Sequence, residues 1–417
     1  MRILILGTGA REHALAWKFS KSRAVKTLFT APGNAGTQEL GENIDEIDIL
    51  DPKSVLSVCQ EKAIDLVFVG PEAPMEAGIV DILQANKIDV IGADKSSARL
   101  ETSKIFSKSF MNTHKIPAAR AREFSDTEEF ESYILSSESK LVVKKNGLAA
   151  GKGVLESSDK NELLNFGKKI LENDGLLVEE FLEGWETSIF AVTDGNTYKL
   201  LPPCADFKKA EENDRGLNTG GMGSICPVPA VDKKLLQQIE KEIISPTFEG
   251  MKKEGLSYKG IVFFGIMITE DGPKAIEYNV RFGDPETQVL LPLIKSDFGE
   301  LARAIINGNL DGFDLDIDDN FALGVVIASG GYPGKYKKGF PVKRIPVFPE
   351  KDTLIFHAST GLDANNQVIT GGGRCFTVVG IGSSMPIAQK RAYEVVPKIS
   401  FETSWYRNDI GKKFIKT

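Results

Sequence analysis

Residues 276–288, Ile-Glu-Tyr-Asn-Val-Arg-Phe-Gly-Asp-Pro-Glu-Thr-Gln, set a carboxylate, an amide and a guanidinium at alternate positions. On an extended chain, residues two apart share a face, so Glu277, Asn279 and Arg281 are expected on one side and Ile276, Tyr278 and Val280 on the other. Hard oxygens from Glu277 and Asn279 suit magnesium or manganese carrying phosphate oxygens, and the adjacent Arg281 suits developing negative charge. A half-buried strand can also carry a solvated polar face. The polar stretch 281–288 has no evident packing purpose, however, and this favours a site.

A second stretch, KNGLAAGKGV at 145–154, resembles a phosphate loop with parts missing. The usual nucleotide loop has four residues between its first glycine and Gly-Lys, followed by Ser or Thr for magnesium. Here only Leu148, Ala149 and Ala150 intervene, and Gly153 follows Lys152. Glycines free backbone amides to approach an anion, and Lys144 and Lys152 add charge. A merely flexible turn remains the competing reading. A third stretch, GTGAREHA at 7–14, places Gly7 and Gly9 between an apolar run and a helical one. That position serves either a tight strand-helix turn or a phosphate at the helix end. A dinucleotide site would need an acid about 20 residues on, at the next strand tip. That tip reads LFTAPGN and has none, so NAD is disfavoured.

The remaining composition narrows the class. In 417 residues, 41% are hydrophobic and 26% charged, as in a soluble globular protein of about three domains. A net charge of −7 with dispersed Lys and Arg argues against a nucleic-acid partner. Cys59, Cys204, Cys226 and Cys375 lack metal or disulfide spacing, which fits a reducing compartment. No apolar run approaches a membrane span, and the expectation is a cytoplasmic protein without a membrane partner.

Several elements must position these residues. Short β-branched runs alternate with amphipathic ones over the first hundred residues, predicting a parallel sheet covered by helices. The run SSARLETSKIFSKSFMNTHK reads as one long helix ending near Pro117. A small α/β unit follows, with a Ser125–Glu128 capping box, strands LVVKK and LLVEEFL, and a helix between them. The polar, glycine-rich residues 206–223 read as a long functional loop. A helix over 232–254 precedes two apolar strands joined by TEDG, and the chain closes in a mostly β domain.

Taken in order, AREHALAWK, APGNAG, VGPEAP, GLAAGKGV, EEFLEG, NTGGMG and EYNVRFGDPETQ resemble the glycinamide ribonucleotide synthetase (phosphoribosylamine-glycine ligase) family of ATP-grasp ligases over the whole chain. The resemblance implies an α/β and α+β architecture. An N-terminal Rossmann-like domain would span 1–102 and an ATP-grasp domain 103–310, with a lid subdomain at about 121–190. A C-terminal mostly β domain would span 321–417. It implies ligation of glycine to 5-phosphoribosylamine through glycyl phosphate, the second step of de novo purine biosynthesis, by a monomer or weak homodimer. Lys104 and Lys144 would meet ATP phosphates beneath the loop Gly151, Lys152 and Gly153. Glu179, Glu180, Phe181 and Leu182 would read adenine, and Glu186 the ribose. Glu277 and Asn279 would hold Mg2+ or Mn2+, with Arg281 and Lys144 catalytic. Gly9, Asn34, Gly36, Glu72, Asp206, Asn218, Gly220, Arg281 and Asp284 would serve the other substrates.

Several positions depart from the family pattern: Ala10, Lys145, Asn146, Trp185, Phe207, Arg215 and Leu217. They put substrate affinity in question more than reaction type. The strand preceding Glu277 has no carboxylate, so a second metal ion would lean on ATP oxygens. Alternatives are another ATP-grasp carboxylate-amine ligase of purine metabolism, using formate or bicarbonate, and a nucleotide-binding protein without chemistry. The motifs NTGGMG and RFGDPETQ speak against the first, and Lys144, Glu277, Asn279 and Arg281 against the second.

Overall fold

Apolar runs near the N-terminus form the strands Arg2–Gly7, Thr27–Pro32, Leu66–Val69 and Asp89–Ile91, joined by the short Glu42–Asn43 into one parallel sheet. The first strand is central and feeds opposite faces in alternation. Ile3 and Ile5 enter one core and Leu4 and Leu6 another, all 0% exposed. Burial of each contributes about 2 kcal/mol, which is why this strand reads as a continuous apolar run rather than a half-polar one. The computed structural model describes residues 1–148, 153–346 and 352–415. Gly151 and Lys152 therefore lie outside the described residues.

The expected single helix over SSARLETSKIFSKSFMNTHK is two, Lys95–Thr102 and Lys104–Thr113. Ser103 between them is extended at φ −129° and ψ 106°, and its hydroxyl caps the second helix by accepting from Phe106 N. Periodicity continues through the break, so only the capping hydroxyl betrays it. The break leaves Glu101 at the end of one helix and Lys104 at the start of the next.

Next, strands Ala121–Phe124, Leu141–Lys145, Val154–Ser157 and Leu176–Glu180 make an antiparallel sheet with the 121–124 strand at one edge and the 154–157 strand at the other. Helices Thr127–Ser136 and Lys160–Leu171 pack on it around a core of their own, including Phe124, Phe130, Val143, Leu163 and Val178. Asp126, not Ser125, caps the first of these helices, accepting from Glu129 N at 2.8 Å. The cap is displaced by one residue, to a carboxylate that the positive helix end favours.

Strands Trp185–Thr193, Tyr198–Leu200, Gly260–Thr269 and Gly272–Asn279 form a further antiparallel sheet. A register shift at Gly265/Ile266 alters the expected alternation on the last strand. Ala275, Tyr278 and Val280 face the core together, and Ile276 does not join them. The polar triad keeps its phase because it lies beyond the bulge. The expected helix over 232–254 contains a π-turn at Glu240–Ile244 between helices Lys233–Ile239 and Ser245–Glu254.

Residues 206–223 are not the structureless loop expected. They hold the hairpin Lys209–Glu211 and Arg215–Asn218, too short and polar for a period-2 signal. The last sheet takes strands from both sides of residue 310: Ala205–Asp206, Gly223–Cys226, Phe321–Ala328, Thr353–His357 and Arg374–Gly382, with helix Met385–Val395 packed against it.

Candidate active site

Strand Gly272–Asn279 carries Glu277 and Asn279 to its end, where Arg281 continues the same face. Arg281 is held from several sides. Its Nη2 donates to Glu101 Oε1 at 2.7 Å and Asn279 Oδ1 at 3.3 Å, and its Nε lies 3.4 Å from Glu72 Oε2. Glu101 also accepts from Val280 N at 2.8 Å. Burial opposes charge on Arg281, yet Glu101 and Glu72 raise its pKa above the ordinary arginine value. Burial lifts Glu101 to about 7 against the pull of Arg281. Among the described residues, the Glu277 carboxylate takes no hydrogen bond or ion pair, while its charge is felt by Lys104, Asp206, Lys208 and Arg281.

A neighbouring strand and the Lys104–Thr113 helix each supply a buried lysine. Lys144, on Leu141–Lys145, lies 2.7 Å from Glu179 Oε2, and Lys108 lies 2.9 Å from Glu179 Oε1. Burial opposes ionisation of Glu179, but Lys144 and Lys108 hold it below the usual carboxylate range. Its neighbour Glu180 turns outward to Arg120 at 2.6 Å, and Lys140 sits 3.5 Å from the Phe181 ring centroid. Leu182 and Glu183 follow without regular structure before the next strand opens at Trp185.

Lys104 begins its helix against the glycine-rich stretch. Asn146 Oδ1 accepts from Ser103 Oγ at 3.0 Å and Ile105 N at 3.1 Å, and Asn146 O accepts from Lys104 N at 3.2 Å. Lys104 Nζ reaches Gly147 O at 3.4 Å, and burial lowers its pKa. Lys145 faces Asp174 at 3.7 Å, and Lys145 N donates to Gly153 O at 2.7 Å. Thus Asn146, one of the departures, fastens the loop to the Lys104 helix, and the extra charge of Lys145 has its own counter-ion.

Opposite these lysines, Lys208 Nζ lies 2.5 Å from Glu186 Oε2. Lys208 holds Glu186 below the ordinary carboxylate range. Burial opposes charge on Lys208, but Glu186, Asp206 and Glu277 keep it protonated well above the ordinary lysine value. Burial raises Asp206, with Glu186 and Glu277 adding to the rise. Glu286 is likewise lifted by burial, to about 7.

The N-terminal crevice meets this group through residues 281–288. Gly9 N donates to Glu12 Oε2 at 2.6 Å, and Arg11 Nε binds Glu12 Oε1 at 2.6 Å. The first glycine loop is therefore filled by the protein's own carboxylate. Arg11 Nη1 reaches Phe282 O at 3.1 Å, and Asp284 accepts from Arg11 N at 3.4 Å and Gln288 at 2.9 Å. Burial opposes charge on Asp284, but Arg374, 3.3 Å away, and Arg11 hold its pKa down. Arg374 also donates to Gly220 O at 2.6 Å, and Asn218 pairs with Lys209 in the hairpin. Asn34 uses its whole amide on backbone: Nδ2 donates to Thr8, Gly9 and His357 carbonyls, and Oδ1 accepts from Gly36 and Thr37 N. A Cβ on Gly36 would lie 2.1 Å from His13 Cε1, so only glycine fits there.

Family models for phosphoribosylglycinamide synthetase match the chain in three parts: the N domain over 1–101, the ATP-grasp (A) domain over 102–287 and the C domain over 322–413. The phosphoribosylamine–glycine ligase of Caldanaerobacter subterraneus subsp. tengcongensis is 40% identical over 419 residues, covering 99% of both chains. The chain belongs to the phosphoribosylglycinamide synthetase family. A crystal structure of the phosphoribosylamine–glycine ligase from Thermotoga maritima superposes with a TM-score of 0.85 at 33% identity, covering 98% of this chain and 100% of that one. The trifunctional purine biosynthetic protein adenosine-3 of Gallus gallus is 43% identical over 99% of this chain. The chain spans 42% of that protein's length, about half or less of a multifunctional relative.

ATP-grasp domains in general use ATP with a divalent metal, and residues 102–287 match such a domain. Residues present here fit such an ion: Glu277 is an unpartnered hard donor among the described residues, with Asn279 on the same face. No group of three or more His, Cys, Asp or Glu is placed for a metal among the described residues, so ligand oxygens would complete the shell. Four positioning residues escaped the sequence reading. Glu101, Lys108 and Arg374 act across long separations, which a single sequence does not show. Lys208 was within reach, because it stands two residues after Asp206 in the same polar stretch.

Proposed function

We propose that this chain ligates glycine to 5-phosphoribosylamine with ATP, giving glycinamide ribonucleotide, ADP and phosphate. The observation that carries the reading is the convergence of Lys104, Lys144, Glu277, Asn279 and Arg281 within a chain related over its full length to phosphoribosylamine–glycine ligases. Lys104 and Lys144 neutralise the ATP phosphates, and Glu186 with Lys208 orders the nucleotide ribose. Glu277 and Asn279 would hold Mg2+ or Mn2+, which supplies charge neutralisation on the phosphates. Glycine carboxylate attacks the γ-phosphorus, ADP leaves, and glycyl phosphate forms. The amine of phosphoribosylamine then attacks the acyl carbon, phosphate leaves, and the ammonium proton passes to solvent or a nearby carboxylate. Arg281, fixed between Glu101 and Glu72, stabilises the charge developing on the acyl phosphate.

Asn34 and Gly36 shape the crevice in this reading rather than touching ligand through side chains. Asp284 keeps residues 281–288 against the first glycine loop. Buried free cysteines at 59, 204, 226 and 375 support a cytoplasmic location, and no helix among the described residues is long and apolar enough to cross a membrane. The reading is tested by trapping. With ATP, glycine and hydroxylamine but no phosphoribosylamine, the enzyme is expected to release ADP and form glycine hydroxamate. ADP release without hydroxamate would remove glycyl phosphate from the account.

A further inference from the structure

The segment over 407–414 lies against the part of the molecule that carries Lys208. Arg407, 2% exposed, donates to Asp214 Oδ1 at 3.0 Å, to Lys209 O at 2.8 Å and to both oxygens of Asp409 at 2.8 Å. Asp409 accepts in turn from Asn213 N at 2.7 Å, and Lys413 Nζ donates to Asp214 Oδ2 at 3.0 Å. These bonds tie the segment to the 209–218 hairpin. They also deliver Phe414 to a gap between two other stretches of chain.

One stretch begins at Trp185, the other ends at Lys208. They run antiparallel and are joined by a single backbone bridge, Ser188 N to Cys204 O at 2.7 Å and Cys204 N to Ser188 O at 2.8 Å. Among the described residues no further ladder bond connects them toward 185 and 208, so side chains must set their separation. Alternation places Trp185 and Glu186 on opposite faces of one stretch, and Phe207 and Lys208 on opposite faces of the other. On one side Glu186 and Lys208 meet at 2.5 Å. On the other, the Phe414 ring stands 6.5 Å from Trp185 and 6.4 Å from Phe207, edge-on to both, with Lys413 Nζ 4.8 Å from the Phe207 centroid.

We propose that Phe414 is a positioning residue for nucleotide binding: wedged against Trp185 and Phe207, it sets the spacing at which Glu186 and Lys208 pair. The inference rests on the reading of Glu186 as a nucleotide contact. It extends the site to a segment more than 200 residues away in sequence. The charge of Lys413 reaches Glu186 and helps hold its carboxylate ionised, an independent sign that the segment and the pair share one environment.

Equilibrium binding of ATP with magnesium to the full chain tests this without requiring turnover. Phe414→Ala is expected to weaken ATP binding about 5-fold, because losing a packed wedge of this size leaves the pair free to separate. Phe414→Leu, which refills the gap, should remain within about twofold of wild type and excludes simple unfolding as the cause. Glu186→Gln should weaken binding, and adding Phe414→Ala to it should weaken it no further, since both act through one contact. Wild-type affinity in Phe414→Ala, with Glu186→Gln impaired, overturns the positioning role alone. Multiplying effects in the double variant overturn it as well. Wild-type affinity in Glu186→Gln removes the ribose assignment itself and the positioning role with it.

Discussion

Glu179→Gln should destabilise the small antiparallel sheet by removing the one negative charge shared by two buried lysines. Lys108 lies 2.9 Å from one carboxylate oxygen and Lys144 2.7 Å from the other, and the three side chains are at most 10% exposed. Glutamine keeps the shape and one acceptor but turns an amide donor toward the second lysine. If both ammonium groups stay charged, the cost is about 3–5 kcal/mol, the range for a broken buried pair. If one lysine instead loses its proton at pH 7, the ceiling is about 1.36 kcal/mol for each unit down from roughly 10.4, hence about 4.6 kcal/mol. Burial already lowers Lys108, so this route costs less than the ceiling. Amide hydrogen exchange reads the effect locally, without assuming that the whole chain unfolds in one step. A loss of about 3 kcal/mol makes amides of Leu141–Lys145 and Leu176–Glu180 exchange roughly 150-fold faster. Adding Lys108→Met leaves a single lysine to accommodate and should restore most of the protection. Exchange within about threefold of wild type in the single variant, or no recovery in the double, would refute the shared-charge argument.

Other expectations follow from the same geometry. Arg281→Lys cannot span Glu101, Asn279 and Glu72 together, and kcat should fall about 100-fold or more; a drop under fivefold in steady-state kinetics would show that the fork is dispensable. Asn146→Ala removes the acceptor for Ser103 Oγ and Ile105 N, and the loss of about 1 kcal/mol should raise KM for ATP about 5-fold with kcat nearly unchanged. An unaltered KM would separate that loop from ATP. His13 and His357 are buried and held near 3 and 4, below the roughly 6.5 of an unfolded chain. The unfolded state therefore binds more protons, so stability complete above about pH 6.5 is lost as pH falls, by about 2 kcal/mol per histidine at pH 5. His13→Gln should flatten the acid limb of melting temperature against pH, and an unchanged slope would place the sensitivity elsewhere.

Local signals in the sequence carried much of this architecture. Ile3 to Leu6 read as a buried parallel strand because both faces are covered, and Glu277, Asn279 and Arg281 kept their common face because the bulge lies upstream of them. What escaped was decided by single capping groups or by distant partners. Ser103 breaks a helix whose periodicity runs on unaltered, and Asp126 takes a cap expected one residue earlier. Residues 206–223 hide a hairpin whose partner and clamp, the 407–414 segment, arrive only at the end of the chain. Departures from the family pattern also acquired physical reasons. Asn146 ties the loop to the Lys104 helix, and Trp185 and Phe207 share the Phe414 ring.

The central claim is that ATP cleavage here is coupled to both glycine and phosphoribosylamine. The direct test measures ADP release with freshly prepared phosphoribosylamine, omitting each reactant in turn and replacing glycine by formate. The account predicts full turnover only with ATP, glycine and phosphoribosylamine together, and formation of glycinamide ribonucleotide equal to the ADP released. Turnover that ignores phosphoribosylamine, or proceeds equally with formate, would contradict it.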